Sequence, residues 1–265
     1  MRTDSRALRR ISMLLWLGVL LAGCGGQLTP EARQLLSEAR DAYRRDENSR
    51  TVTLADQFLQ QHPGSVAADE ALYLRGMAKY RLRDLDAATA DFKEAAEESK
   101  KDSVRAVALT QLAEIAFVRG NMDQAEDYAT DALIYTRPSE SPADKAFYRL
   151  GCVLQRQGRW LEADEKFGKV TFWFADTELA RLAARRLSAR GWTVRAGTYQ
   201  TRRYAEAAAR KLHDHGLSVA VRAEVRDHQL VYLVEVGRFG NYAQAMRQLA
   251  AVKAHQDDAY LTVTR

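Results

Sequence analysis

The sequence predicts a protein of two folded parts, an all-helical repeat array followed by a small α/β module. Residues 31–190 are rich in Ala, Leu, Arg and Glu and poor in Gly and Pro, a composition typical of helices. Within that range, a pattern of small and bulky residues recurs at intervals of 37 and 38 residues. From residue 192 onward, strand-like apolar runs alternate with two Ala-rich helical segments in the order βαββαβ.

Residues 1–23 have the features of a secretory signal peptide. Four arginines precede a hydrophobic run from Ile11 to Leu21, which is too short to span a bilayer as a mature helix. Small residues follow the run, and the stretch Leu21-Ala22-Gly23-Cys24 resembles the lipobox of bacterial lipoproteins. The resemblance implies cleavage before Cys24 and acylation of that cysteine. An ordinary signal peptide with a chance cysteine, or an uncleaved anchor, is the alternative.

The lipobox resemblance also implies a location. Cys24 would carry a covalent lipid, and we expect no other cofactor. Residues 24–30 would be a short lipidated tether to a membrane, where several acyl chains anchor far better than one. Gly25 rather than Asp follows Cys24, which favours the periplasmic face of the outer membrane over the inner membrane.

Charge and cysteine content exclude several classes of protein. The formal charge is +5, but residues 1–23 supply +3 of it. Residues 24–191 carry a net −2 and residues 192–265 a net +4, which is too weak a basic character to indicate nucleic acid binding. If Cys24 is lipidated, Cys152 has no partner for an intramolecular disulfide, and we expect it to be a small buried residue.

The helical region consists of repeated helix–turn–helix units. A small residue recurs in the first helix at Gly76, Ala113 and Gly151. An alanine recurs in the second helix at positions 88, 125 and 163, and a turn precedes it each time. Small residues let paired helices approach closely, and such a unit buries its apolar face only by stacking on a neighbour.

This pattern resembles the tetratricopeptide repeat and covers residues 65–175 well. A weaker first unit occupies Leu35 to Pro63, and its junction is similar to that of periplasmic tetratricopeptide lipoproteins that serve envelope assembly. A last helix, Asp176 to Arg190, is predicted to cap the array, with Gly191 ending it. We assign residues 31–190 to the repeats; another antiparallel helical array is the alternative.

In the tetratricopeptide family, the first helix of each unit lines a concave groove that takes a peptide or a partner helix. Carried over by position, the resemblance implies a partner-binding wall of aromatic, basic and polar side chains. The partner would be an unidentified periplasmic protein or peptide, although tyrosines packed between repeats would give the same pattern. The predicted groove residues are Tyr73, Met77, Tyr80, Arg81, Glu114, Phe117, Tyr148, Gln155 and Arg156.

The C-terminal module, residues 192–265, is internally doubled. Val194 to Tyr199 matches Val234 to Phe239, each a strand followed by Gly-x-aromatic, and an Ala-rich helix follows each copy. We expect the glycine to let the chain leave the strand sharply. This doubling resembles the SPOR domain, the sporulation-related repeat, a small ferredoxin- or RNP-like fold. A generic ferredoxin-like domain is the alternative.

SPOR domains bind peptidoglycan, notably glycan strands stripped of stem peptides, and the family's sugar lies on the open face of the sheet. Arg195 occupies a position where relatives often carry Gln, so it departs from the family pattern. Strand alternation puts Thr193, Arg195, Leu233 and Glu235 on one face, where Arg195 and Glu235 could also form a cross-strand ion pair. The predicted glycan-binding residues are Thr193, Arg195, Thr198, Leu233, Glu235 and Tyr260.

The sequence contains no zinc-protease, nucleophile-elbow or phosphate-loop motif, so we expect no catalytic residues and no metal site. The first hypothesis is a non-enzymatic lipoprotein that binds denuded septal glycan and recruits a partner in cell division or wall remodelling, with septal enrichment as one consequence. The second is an envelope-assembly scaffold whose repeat groove is primary and whose SPOR domain only positions it. A wall hydrolase is disfavoured because no segment remains for a catalytic domain.

Overall fold

The computed structural model describes residues 28–226 and 228–264. The predictions of a signal peptide and of lipidation at Cys24 lie outside the described residues. The described chain forms two compact units that divide between Ala88 and Thr89.

The helical part comprises α1 to α9, joined by short turns. Their bounds are Pro30–Arg44, Asn48–Gln61, Ala68–Arg81, Leu85–Glu98, Asp102–Arg119, Met122–Ile134, Ala143–Arg156, Trp160–Trp173 and Glu178–Arg186. The pairs follow the predicted units, including the weak first unit, which forms α1 and α2. Leu36 and Phe58 fill the core of the first unit with the alanines of α1 and α3.

The small residues of the repeats lie at close helix contacts, as predicted. In the second compact unit, Gly151 of α7 faces the fully buried ring of Phe167 of α8. A Cβ at Gly151 would lie 2.6 Å from Cε1 of that ring. The contact leaves no room for a side chain at this position unless the Phe167 ring moves.

The capping helix differs from its prediction. α9 covers Glu178–Arg186 and is capped at its start by Thr177, whose hydroxyl accepts from the backbone N–H of Ala180. Gly191 does not end this helix. It is the first residue of a strand and is paired with Thr264, because the chain turns into the sheet directly after residue 190.

The C-terminal module has the predicted βαββαβ order. Its elements are β1 (Gly191–Tyr199), α10 (Arg202–Asp214), β2 (Val219–Arg226), β3 (Gln229–Phe239), α11 (Tyr242–Lys253) and β4 (Tyr260–Thr264). The four strands form one antiparallel sheet in the order β2-β3-β1-β4. Val194, Val234 and Val236 pack with α10 and α11 in a core on one face of this sheet.

The glycines of the doubled Gly-x-aromatic segments have a structural role that differs from the predicted one. β1 and β3 continue through Gly197 and Gly237, so neither glycine ends its strand. Instead, the ring of Tyr199 lies over Gly197 and the ring of Phe239 over Gly237, where an added Cβ would meet ring atoms at 2.7 and 2.2 Å. A side chain at either position would have to displace the aromatic ring two residues later, and Gly237 also has a left-handed backbone with φ of 67°.

Within residues 28–226 and 228–264, no helix is both long and apolar enough to cross a membrane.

Candidate functional site

The candidate site is the face of the sheet opposite α10 and α11. The strand register pairs Arg195 with Glu235 on one side and with Tyr260 on the other, and it pairs Thr193 with Thr262. These side chains share one face because residues that pair directly across strands point to the same side. Four of the six predicted glycan-binding residues therefore lie together.

Arg195 forms a buried ion pair at the centre of this face. Its Nη2 donates to Oε1 of Glu235 over 2.6 Å, and the two side chains are 4% and 13% exposed. Arg222 of β2 lies 3.4 Å from the other oxygen of Glu235 and also pairs with Glu224. The cross-strand ion pair considered from the sequence is thus present, within a larger charged network.

The other two predicted residues lie on the same face of the sheet but are not among the residues that line the cleft described below. Leu233 is fully buried, so its side chain offers no surface to a sugar and supports the sheet instead. Thr198 is exposed and pairs with Leu233, so the β-bulge between Arg195 and Gly197 brings it to the same face of the sheet as Leu233 and Glu235. Thr198 lies outside the cleft described next.

A cleft of about 1290 Å³ lies between this face of the sheet and the last helices of the repeats. One wall is the sheet, with Thr193, Arg195, Glu235 and Tyr260 among its residues. The other wall is formed by Tyr148 of α7 and by Leu182, Arg185 and Arg186 of α9. The cleft exceeds the roughly 300–1,000 Å³ of ordinary small-molecule pockets, a size suited to an extended ligand.

Arginine dominates the charge of the cleft. Six arginines and two glutamates are among the residues that line it. Within the described residues, Nε and Nη1 of Arg195 have no hydrogen-bond acceptor, although both atoms are buried. A buried guanidinium with unpaired N–H groups is costly, and its ion pair with Glu235 offsets part of that cost.

Aromatic contacts fix the C-terminal module to the last repeat. Trp192 of β1 contacts Trp160 of α8 with ring centroids 5.6 Å apart, and it contacts Tyr242 of α11 with ring centroids 5.0 Å apart. Arg156 of α7 lies over the Tyr242 ring, 4.7 Å from its centroid. Asp164 of α8 adds an ion pair to Arg190.

Three of the predicted groove residues in the second compact unit are bonded to neighbouring repeats. Glu114 of α5 pairs with Arg149 of α7. Phe117 lies between two guanidinium groups, with Arg149 4.1 Å and Arg156 3.6 Å from its ring centroid. Burial lowers the pKa of Arg156, which also donates to the backbone carbonyl of Phe117. These side chains hold adjacent repeats together.

Gln155 and Tyr148 both form hydrogen bonds with Arg186 of the capping helix α9. Gln155 is fully buried and exchanges two hydrogen bonds with Arg186, one with its carbonyl and one with its guanidinium. The prediction that Gln155 lines an open groove is therefore wrong, because α9 covers it. Burial raises the pKa of Tyr148, whose hydroxyl bonds to Arg186 while its ring contacts Phe167.

The remaining groove residues belong to α3 in the first compact unit. Tyr73, Met77 and Tyr80 are half-buried, and burial raises the pKa of Tyr73. Arg81 is exposed but engaged, since it donates to Asp46 over 2.6 Å and lies over the ring of Tyr43. Arg81 thus ties α3 to the turn after α1.

The sequence analysis did not predict that residues of α9 and charged residues of β2 line the cleft. Arg222, Glu224 and Arg226 alternate along β2, and that period of two could have placed them on the site face. No comparable signal marks Leu182, Arg185 and Arg186, because their proximity to the sheet arises from chain packing. Among the described residues, no group of His, Cys, Asp or Glu could hold a metal ion.

Comparison with known families agrees with this architecture. The tetratricopeptide repeat-like domain matches residues 27–171, and the SPOR domain matches residues 188–262. The chain therefore belongs to the tetratricopeptide repeat-like family and carries a C-terminal SPOR domain. Tetratricopeptide repeats bind proteins and SPOR domains bind peptidoglycan, so both parts are non-catalytic binding domains.

One solved structure with a TM-score above 0.5 supports the fold of the repeats. A tetratricopeptide repeat protein from Parabacteroides merdae is similar at 16% identity with a TM-score of 0.51, and the match covers 70% of this chain and 66% of that one. The MamA protein of Desulfovibrio magneticus is similar at 14% identity and a TM-score of 0.46, over 60% of this chain and 93% of that one. No curated protein sequence matches the chain.

Proposed function

We propose that this protein is a non-enzymatic receptor for peptidoglycan glycan strands that also recruits a protein partner in the cell envelope. The observation that carries the proposal is the SPOR sheet face, where Thr193, Arg195, Glu235 and Tyr260 border one cleft. Tyr260 is half exposed at the rim, where an aromatic face can stack on a sugar ring. The Glu235 carboxylate and the arginine side chains of the cleft supply acceptors and donors for sugar hydroxyls. The hydroxyl of Thr193 is buried and donates to the backbone carbonyl of Gly237.

The proposed membrane location rests on the sequence. A lipid on Cys24 would hold the protein at the periplasmic face of the outer membrane, and binding of denuded glycan would enrich it at the division septum. A SPOR domain fits a role in the cell envelope. Detection of acyl chains on Cys24 by mass spectrometry, and their loss in Cys24→Ala, would test the anchor.

The repeats are proposed to recruit the partner through their first compact unit. In the second unit, the predicted groove residues Glu114, Phe117 and Arg156 bond to other helices, which leaves them less free for a partner. The proposed partner wall in that unit is formed by Tyr73, Met77 and Tyr80, which lie half-buried along α3.

The test of glycan binding is cosedimentation of the chain from residue 24 onward, with Cys24→Ser, with two sacculus preparations. One preparation is intact, and the other is enriched in strands without stem peptides. We expect preferential binding to the stripped strands and weaker binding by Tyr260→Ala. Tyr204→Ala is the matched control, because Tyr204 is 67% exposed on α10 and lies outside the cleft.

Absence of binding to either preparation would refute glycan binding. It would favour the envelope-assembly scaffold in which the repeats are primary and the SPOR fold has only a positioning role.

A further inference from the structure

The net charge of the C-terminal module lies on one side of its sheet. α10 and α11 together contain six Arg or Lys residues and two carboxylates, which accounts for the whole net charge of +4 of residues 192–265. The strands and loops of the module hold equal numbers of basic and acidic residues. Both helices pack on the face of the sheet opposite the cleft. The module therefore has one basic side and one side on which the charges balance.

The helical period directs the cations of the basic side outward. On α10, Leu212 packs in the core, and Arg210 precedes it by two residues, which turns its side chain by about 200° to the outer side. Arg203 lies two turns before Arg210 and shares its direction. Arg247 of α11 likewise precedes Leu249, which packs against the core. All three arginines are exposed.

Neighbouring carboxylates do not neutralise these cations. On α10, Arg202 forms an exposed ion pair with Glu206. The other basic side chains of the two helices are exposed and have no ion-pair partner in the part of the chain that the structure describes. We call these five residues the basic helix face: Arg203, Arg210, Lys211, Arg247 and Lys253.

The spacing of these cations suits a surface that carries many anions rather than a single bound anion. Arg203 and Arg210 are seven residues apart on one helix, about 10 Å, and Arg247 lies on the other helix. Exposed apolar side chains accompany the cations, since Tyr204 is 67% exposed and Met246 41%. Basic helices that also expose aromatic and apolar residues are typical of proteins that lie on anionic membranes.

We infer that the outward side of α10 and α11 is a docking surface for a membrane of anionic phospholipids. The basic helix face contacts the lipid phosphates, and Tyr204 and Met246 enter the headgroup layer, where an amphipathic tyrosine ring is favoured. The inference goes beyond the proposed function, because it concerns the opposite side of the module and does not require a lipid on Cys24. With the helices on the membrane, the sheet face points away from the bilayer and stays open to glycan.

The experiment measures cosedimentation of the chain from residue 24 onward, with Cys24→Ser, with three preparations. These are vesicles of phosphatidylglycerol and phosphatidylcholine, vesicles of phosphatidylcholine alone, and beads coated with polyglutamate, which present carboxylates without a bilayer. We expect binding to the anionic vesicles to be at least about tenfold tighter than to the neutral ones, because each cation near an anionic surface contributes about fivefold. High salt should abolish the difference.

Matched variants assign the binding to the basic helix face. Arg203→Gln combined with Arg247→Gln should weaken binding to the anionic vesicles at least about tenfold. The control combines Arg137→Gln with Arg181→Gln, which lowers the net charge equally at exposed residues outside α10 and α11. Circular dichroism checks the fold of both.

Tyr204→Ala distinguishes a bilayer from a soluble polyanion. Tyr204 is exposed on α10, and its ring is expected to enter a headgroup layer but to gain nothing from polyglutamate. The variant should therefore bind the anionic vesicles severalfold more weakly and the beads unchanged.

The contrary outcomes are specific. Equal binding to anionic and neutral vesicles, or equal loss in the two double variants, would overturn the docking surface. Binding to the beads without binding to vesicles would assign the basic helix face to an acidic protein and overturn the lipid inference. Arg203 and Arg247 lie outside the cleft, so their double variant should bind sacculi unchanged. Failure of the unsubstituted protein to bind sacculi would remove the proposed function and leave this inference standing.

Discussion

Trp160, the first residue of α8, contacts Trp192, the second residue of β1, with ring centroids 5.6 Å apart. Trp192 is 4% exposed and also contacts Tyr242. This contact joins the last helical repeat to the SPOR sheet. α9 follows α8 along the chain and lines the cleft opposite the sheet.

The first prediction concerns this junction. A double-mutant cycle with Trp160→Ala and Trp192→Ala should give a coupling free energy of about 0.5–1.5 kcal/mol in denaturant unfolding, as expected for an aromatic pair. The control cycle uses Trp173→Ala with Trp192→Ala, because Trp173 is 46% exposed and contacts Phe172 instead. Equal coupling in the two cycles would contradict a specific contact.

The second prediction concerns the close approach of α7 and α8. Gly151→Ala places a methyl group 2.6 Å from Cε1 of Phe167, a buried ring that cannot move without disturbing the core. We expect a loss of about 1–3 kcal/mol in the free energy of unfolding. Gly168→Ala is the control, since nothing lies within 4 Å of an added Cβ there, and a similar loss for both would disprove the steric argument.

The third prediction concerns the turns between paired helices. Arg83, Gly120 and Gly158 occupy equivalent turn positions, and all have a left-handed backbone with φ of 67°, 83° and 80°. A non-glycine residue costs about 1–2 kcal/mol in this conformation. Arg83→Gly should therefore raise the free energy of unfolding by up to about 1 kcal/mol, and Gly120→Ala should lower it.

Thermal and urea unfolding of these two variants checks the third prediction. Opposite shifts are the expected result, and shifts of the same sign would mean that the Arg83 side chain, not its backbone, determines the effect.

The period of the repeats was enough to predict the helices and their turns. Gly76, Ala113 and Gly151 share a spacing that local sequence displays directly. The βαββαβ order followed from alternating apolar runs in the same way. Both predictions depend on neighbours within a few dozen residues, where periodicity is informative.

The contacts between α9 and the rest of the second compact unit could not be predicted. Arg186, 31 residues later in the chain, hydrogen-bonds to Gln155, which is buried from solvent. No sequence pattern in either segment predicts that hydrogen bond. The burial of Leu233 and the bulge after Arg195 are likewise set by packing across strands. Sequence alternation identified the correct face of the sheet and could not show what lies opposite it.

The fourth prediction concerns the buried pair Arg195 and Glu235. Glu235→Gln removes the carboxylate that compensates a nearly inaccessible guanidinium, so about 3–5 kcal/mol of stability should be lost. Glu206→Gln is the matched control, because its ion pair with Arg202 is exposed and such pairs contribute about 0–1 kcal/mol. Chemical unfolding measures both changes. If Glu235→Gln cost no more than Glu206→Gln, water would have to reach Arg195 freely, and the burial of this ion pair would be contradicted.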